Sequence, residues 1–247
     1  MENMRSYDVQ AIQTLINSIN PLIRELLDIA DQISAELDSD GKSSTDLRRT
    51  AVQDIITVMV LLQLQYIYAS DCLLHYKWWD EHGFTNLTSE QKMENASRYG
   101  DHIAFSAFHQ AYSIYEVCLR QIHHSLDPVG LNQSTEGIYK VFDAVITNFG
   151  LSIDVSKSRE LHIFVGLIRN TIHNLGCYRS VREPIKEVRY NGKSYRFEHL
   201  KPVLFLYPED LYKIIYDIGI MLANIVRDPV VMALPDVRNP YRDGLAS

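Results

Sequence analysis

The sequence predicts an all-α fold, a helical bundle with one small β-hairpin set before its last helix. Three observations carry this. Apolar residues recur at helical spacing through long segments from Ile12 to Ile225, the pattern of helices that each bury one face. Residues that stop helices, Asp127-Pro128, Gly150 and Gly176, stand between those segments. One stretch breaks the pattern, Glu187 to Phe197 around Asn191-Gly192. That dipeptide is the strongest short hairpin signal, because both turn positions need positive φ.

The first helix is predicted over 7–37, with Ile12, Leu15, Ile16, Ile19, Ile23, Leu26, Leu27 and Ile33 as its buried face. Pro21 in its middle removes a backbone donor and predicts a kink or a break near Asn20. A polar loop follows, and Ser44 or Thr45 is placed to cap the next helix. That helix, predicted over 46–80, is nearly apolar all round between Val52 and Leu64, as befits an element packed on several sides. Tyr66, Tyr68, Tyr76, Trp78 and Trp79 continue it. Such rings stack on bases in some nucleic-acid sites, but within an apolar run they read as core.

Thr88 followed by Gln91 fits a capping box, and a separate long helix is predicted over 96–126. In it Glu116 and Arg120 form a favourable pair four residues apart, although Glu116 would orient Arg169 if the two helices pack together. The next helix, capped from 132–134, presents Val141, Phe142, Val145 and Ile146. In the hairpin, a two-residue turn pairs Val188 with Tyr195 and Glu187 with Arg196. Pro208 with acids behind it opens the last helix, whose face is Tyr212, Ile215, Ile218, Met221, Leu222 and Ile225. The tail from Leu234, with Pro235, Pro240 and Gly244, reads as a poorly ordered end. The organisation expected is 1–85 as N-terminal long helices packed on the core, 86–230 as a helical domain with its hairpin at 186–198, and 231–247 as a C-terminal tail.

Composition narrows the function. A net charge of −7 argues against a protein that coats nucleic acid non-specifically, though not against a site where a few cations converge. Cys72, Cys118 and Cys177 are an odd number without metal-ligand spacing, so they read as buried hydrophobes in a reducing compartment. His123-His124 point to different sides of a helix and have no ligand partners at useful spacing, so no metal site is expected there. The first residues lack a signal-peptide apolar core, and the run from Ile55 to Leu62 is short for a membrane span. The expectation is a soluble, cytoplasmic protein with no membrane segment. Glycine-rich phosphate loops and Gly-x-Ser-x-Gly elbows are absent from the sequence, and no cofactor is called for.

The chemistry concentrates in the stretch from Glu160 to Gly176. Leu161, Phe164, Val165, Ile168, Ile172 and Leu175 form an apolar helix face, and Gly176 supplies the stop. His162, Arg169 and His173 fall on a polar stripe beside that face, and Gly166 leaves room for a ligand or a second backbone. Arg169 and His173, four apart, are neighbours. A guanidinium that grips phosphate oxygens beside an imidazole that moves protons suits a phosphodiester. The bland alternative is a structural polar network with Asn174 capping the helix. Arg179, Arg182, Arg189, Lys193 and Arg196 make 179–201 the most basic part of the chain. They read equally as an RNA-binding extension of the site or as a solvated hairpin.

Arg169-Asn170-Thr-Ile-His173, late on an amphipathic helix in a helical context, resembles the signature of the HEPN superfamily. The stretch Ser113-Ile-Tyr-Glu-Val-Cys-Leu-Arg-Gln-Ile122 is similar to the first core helix of such domains. The resemblance covers roughly 96–227; its arginine-to-histidine interval, three residues, is shorter than the family's usual one. The resemblance implies an HEPN-type bundle over 86–230 that dimerises so that the two motifs face each other. In active members it implies metal-independent RNA cleavage with 2′,3′-cyclic phosphate products. Arg169 and His173 would then be catalytic, with Asn170 orienting them and His162 as a second proton carrier. Toxin–antitoxin and antiviral-defence roles follow, with RNA as substrate and an antitoxin or regulatory protein as partner. The rival is a catalytically inactive helical dimer that binds nucleotide or RNA, or serves as a scaffold.

Overall fold

The computed structural model describes residues 9–129, 137–174, 176–203 and 207–240. Outside them lie the helix start expected at Tyr7, the cap expected at 132–134, Leu175 and the tail beyond Pro240. The chain forms an all-α bundle with one small antiparallel hairpin before its last helices. Four long helices make the core. They are α1 (Val9–Ser39), α2 (Leu47–Tyr68), α4 (Ser89–Leu126) and α7 (Pro208–Val226), and each packs on at least two of the others. Between α2 and α4 runs a short α3 (Tyr76–Glu81). α5 (Ile138–Asp143) leads toward α6 (Val155–His173), which carries the candidate motif. β1 (Ile185–Tyr190) and β2 (Lys193–Glu198) follow, and α8 (Pro229–Met232) comes after α7.

α1 is a single helix, so the break expected at Pro21 does not occur. Pro21 lies on the exposed side, and the carbonyl it leaves without a donor belongs to Asn17, which is open to solvent. The buried face, Ile12 through Leu37, meanwhile remains anchored. The predicted helix over 46–80 does divide. A π-helical turn at Ala69–Leu73 ends α2, and Leu74 N–H bonds the Ala69 carbonyl five residues back. Trp79 is buried with its indole N–H on the Leu73 carbonyl at 2.8 Å, while Tyr68 and Tyr76 stay exposed. By length and composition, the helical run Leu47–Leu73 is, among the described residues, the one able to cross a membrane. In the bundle it lies between α1, α4 and α7, and Ile55, Met59 and Leu62 are fully buried.

The capping box at Thr88 and Gln91 is present, and it opens one continuous helix of 38 residues where two were expected. The second helix is capped not by Ser44 or Thr45 but by Asp46, whose carboxylate accepts from Arg48 N–H. The same carboxylate holds the Arg48 guanidinium through two bonds of 2.9 and 2.6 Å. The other guanidinium donors reach the carbonyls of Val231, Met232 and Pro235. Val237 N–H returns to Asp46, and Asn239 bonds Thr50. The tail is therefore pinned to α2 as far as Asn239, against the expectation of a loose end from Leu234. The hairpin has the expected register, Val188 opposite Tyr195 and Glu187 opposite Arg196. Asn191 and Gly192 take φ of 47° and 75°, the left-handed pair such a turn demands.

Candidate functional site

The last two turns of α6 lie against the middle of α4, and this contact builds the site. α6 starts where Asp154 accepts from Lys157 N–H at 3.0 Å, and it buries Leu161, Phe164, Val165 and Ile168. It stops at His173: Asn174 caps it, and Gly176, at φ 82°, donates its N–H to the Thr171 carbonyl. This leaves Arg169 half-buried and Asn170 and His173 exposed on its final turns. Arg169 lies over the Tyr112 ring of α4, 5.9 Å from its centroid, and donates to Asn170 Oδ1 at 3.2 Å. Asn174 Nδ2 holds the Asn170 carbonyl at 2.7 Å, which fixes the backbone beneath the pair. Asn170 thus has the geometry to orient Arg169. Glu116 does not: it pairs with Arg120 on its own helix at 2.7 Å.

A residue the sequence reading passed over completes the cluster. His109, one turn before Tyr112 on α4, meets the His173 ring edge to face, with centroids 4.6 Å apart and planes at 61°. Burial first, and then the charges of His173 and Arg169, pull the His109 imidazole below its ordinary value. On its far side His109 lines a groove of about 440 Å³ between α2 and α4, together with Asp54, Thr57, Leu61, Gln110 and Ser113. No local signal marks His109, because only the packing of α4 on α6 gives it a partner. The helical stepping of Phe108, Tyr112 and Tyr115 does place it one position off the buried face.

His162 is not part of this surface. It is 1% exposed, stacks on Phe142 at 4.1 Å, and bonds the Tyr115 hydroxyl through Nδ1 at 2.6 Å. Burial drives its pKa down to about 4, so it sits in the core as a neutral ring and is no second proton carrier. The space beside Gly166 is likewise taken. The Tyr139 hydroxyl occupies the place where a Cβ would stand, so the glycine admits a tyrosine and not a ligand.

The basic residues divide. Arg179 and Arg182 are exposed on the segment that directly follows α6. Arg189 and Lys193 are exposed on the strands beside the hairpin turn. That turn abuts the opposite end of α6, where Tyr190, Asn191 and Gly192 share a cavity of about 280 Å³ with Asp154, Lys157 and Asp217. At about 1.5 Å of rise per residue, this end lies roughly 12 Å or more along the helix from Arg169. Arg189 and Lys193 therefore do not converge with the motif. Arg196 is paired with Glu198 at 2.9 Å.

Two imidazoles and a guanidinium on neighbouring helices can bind an anion and exchange protons. No family model, curated protein or solved structure matches the chain.

Proposed function

We propose that this protein is a metal-independent endoribonuclease of the HEPN type that acts as a homodimer, with control of RNA damage in a toxin or antiviral-defence setting as its role. One observation carries the reading. Arg169 has a single hydrogen bond among the described residues, to Asn170, and so keeps guanidinium donors for a phosphodiester one helical turn from the His173 imidazole. Arg169 grips the phosphate and stabilises the charge that builds in the transition state. His173 exchanges a proton with the ribose 2′-hydroxyl or the leaving 5′-oxygen. Asn170 holds Arg169 in place, and Arg179 and Arg182 extend the cationic surface on the segment after the site. No cofactor is needed, because the nucleophile belongs to the RNA. An antitoxin or other regulatory protein is the partner such an activity calls for.

The test is incubation of purified protein with mixed cellular RNA in EDTA, beside Arg169→Ala and His173→Ala. Cyclic-phosphate ends are expected from the wild type, with each variant slowed by about 100-fold or more. Equal cleavage by all three would place the activity elsewhere.

The rival reading, an inactive helical dimer used for binding or scaffolding, is favoured by the exposed Leu61, Leu64, Ile67 and Tyr68 on α2 and by the net charge of −7. It predicts intact RNA in all three samples, and a wild type harmless on expression.

A further inference from the structure

We propose that His109 of α4 is the second catalytic residue of this site, taking the 2′-hydroxyl proton of a phosphodiester held by Arg169 while His173 gives a proton to the departing oxygen. The proposal rests on reading the site as a ribonuclease and assigns the two halves of its proton transfer.

Cleavage by an internal 2′-oxygen needs one proton removed and another supplied in the same step. Within one protomer the α6 motif offers a single imidazole for this, since arginine remains protonated and asparagine does not titrate. His109 supplies a second one from a different helix of the same protomer, so each protomer carries both groups without help from the facing motif. Its ring meets His173 edge to face at 4.6 Å between centroids. Among the described residues neither ring has a nitrogen tied up in a hydrogen bond, unlike His162, whose Nδ1 is held by Tyr115. His109 faces His173 and Arg169 across the α4–α6 contact, with Asp54 of α2 in the groove on its other side. Tyr112 lies one turn along its own helix.

The setting separates the two imidazoles. His109 is half-buried at the mouth of the α2–α4 groove, and His173 is exposed at the end of α6. Burial first, and then the neighbouring His173 and Arg169, favour the neutral form of His109, the form a base requires. The groove is shallow and open to solvent, and it gives a ribose and base a surface to lie against on the His109 side. The leaving strand then departs past exposed His173.

The step balances. The 2′-oxygen bonds to phosphorus as its proton passes to His109, and the bond from phosphorus to the 5′-oxygen breaks as that oxygen takes the proton of His173. The products are a 2′,3′-cyclic phosphate and a 5′-hydroxyl. His109 is left protonated and His173 neutral, and exchange with water resets both.

Two substrates separate the roles. RNA has a poor leaving group that needs an acid. Uridine 3′-(4-nitrophenyl phosphate) expels 4-nitrophenolate without a proton but needs the base just as much. With the full-length protein, His109→Ala and the shape-conserving His109→Asn are expected to slow both substrates by about 100-fold or more. His173→Ala is expected to slow RNA to that extent while leaving the nitrophenyl ester within about threefold of wild type. Melting curves matching wild type tie the losses to chemistry. If both His109 variants keep wild-type rates, or if His173→Ala slows the ester as much as they do, the assignment falls and the ribonuclease reading survives. A wild type inert on both substrates overturns that reading and this one together.

Discussion

Arg48 and Arg169 both stand near the end of a helix, beside a polar partner, in a chain with net charge −7. Arg48 is completely enclosed. Asp46 takes it in two bonds, and the carbonyls of Val231, Met232 and Pro235 take its remaining donors. Arg169 is half-exposed, resting on the Tyr112 ring with one hydrogen bond among the described residues, to Asn170. A buried guanidinium is tolerated only when its donors are satisfied, so the first arginine has been built into the fold. The second keeps hydrogen-bonding capacity that no described residue uses. Residue type does not separate the two arginines; the number of satisfied donors does.

The largest expected effect breaks the comparison at its closed end. Arg48→Ala leaves the Asp46 charge buried and frees the tail carbonyls, and should lower unfolding stability by about 3–5 kcal/mol. Arg169→Ala should change it by no more than about 0.5 kcal/mol and, on the proposed function, remove RNA cleavage. Denaturant titration of both variants checks this, and similar losses in the two would erase the distinction.

The histidines repeat the contrast. His109 and His173 meet at the surface of the cluster, while His162 is sealed among Phe142, Tyr139 and Tyr115. The folded pKa of His162, near 4, lies below the ordinary 6.5. Its neutral form is therefore accommodated in full above about pH 6.5. As pH falls toward 4, the unfolded chain takes up the proton first, and stability drops. The loss should be about 3 kcal/mol, complete near pH 4. His162→Phe should flatten melting temperature against pH across that window, and an unchanged slope would mean that another group sets it.

A smaller effect sharpens the account of α4, the helix that presents His109. Thr88→Ala removes one arm of the capping box and should cost about 1 kcal/mol, read by thermal melting, with cleavage rates unchanged. The box sits at the N-terminus of a 38-residue helix, some 20 residues before His109 in sequence. A loss of activity without loss of stability would show that the helix transmits more than support.

What the sequence made visible was local. Helix faces, the Asn191-Gly192 turn with its register, the Thr88 box and the stop at Gly176 each follow from residues a few positions apart, and so does the bond of Arg169 to Asn170. What stayed hidden depends on contacts between distant segments. Arg48 reads as an ordinary charge in a first helical turn until the tail, more than 180 residues later, closes over it. His109 reads as one more polar residue until α6 brings His173 to it. His162 shares the helical phase of Arg169, yet Phe142 and Tyr139, from the segment that packs on α6, place it in the core. The unbroken α1 shows the same limit, since it is the packing of its buried face, and the exposed position of Pro21, that keep the helix whole.

The most direct test of an open Arg169 is a titration with uridine 3′-phosphate followed by NMR of the arginine Nε–Hε groups and the histidine rings. The account predicts that Arg169, His109 and His173 shift together at a common midpoint while Arg48 stays fixed and protected from exchange. Shifts confined to the basic hairpin, with Arg169 and both histidines unmoved, would contradict it.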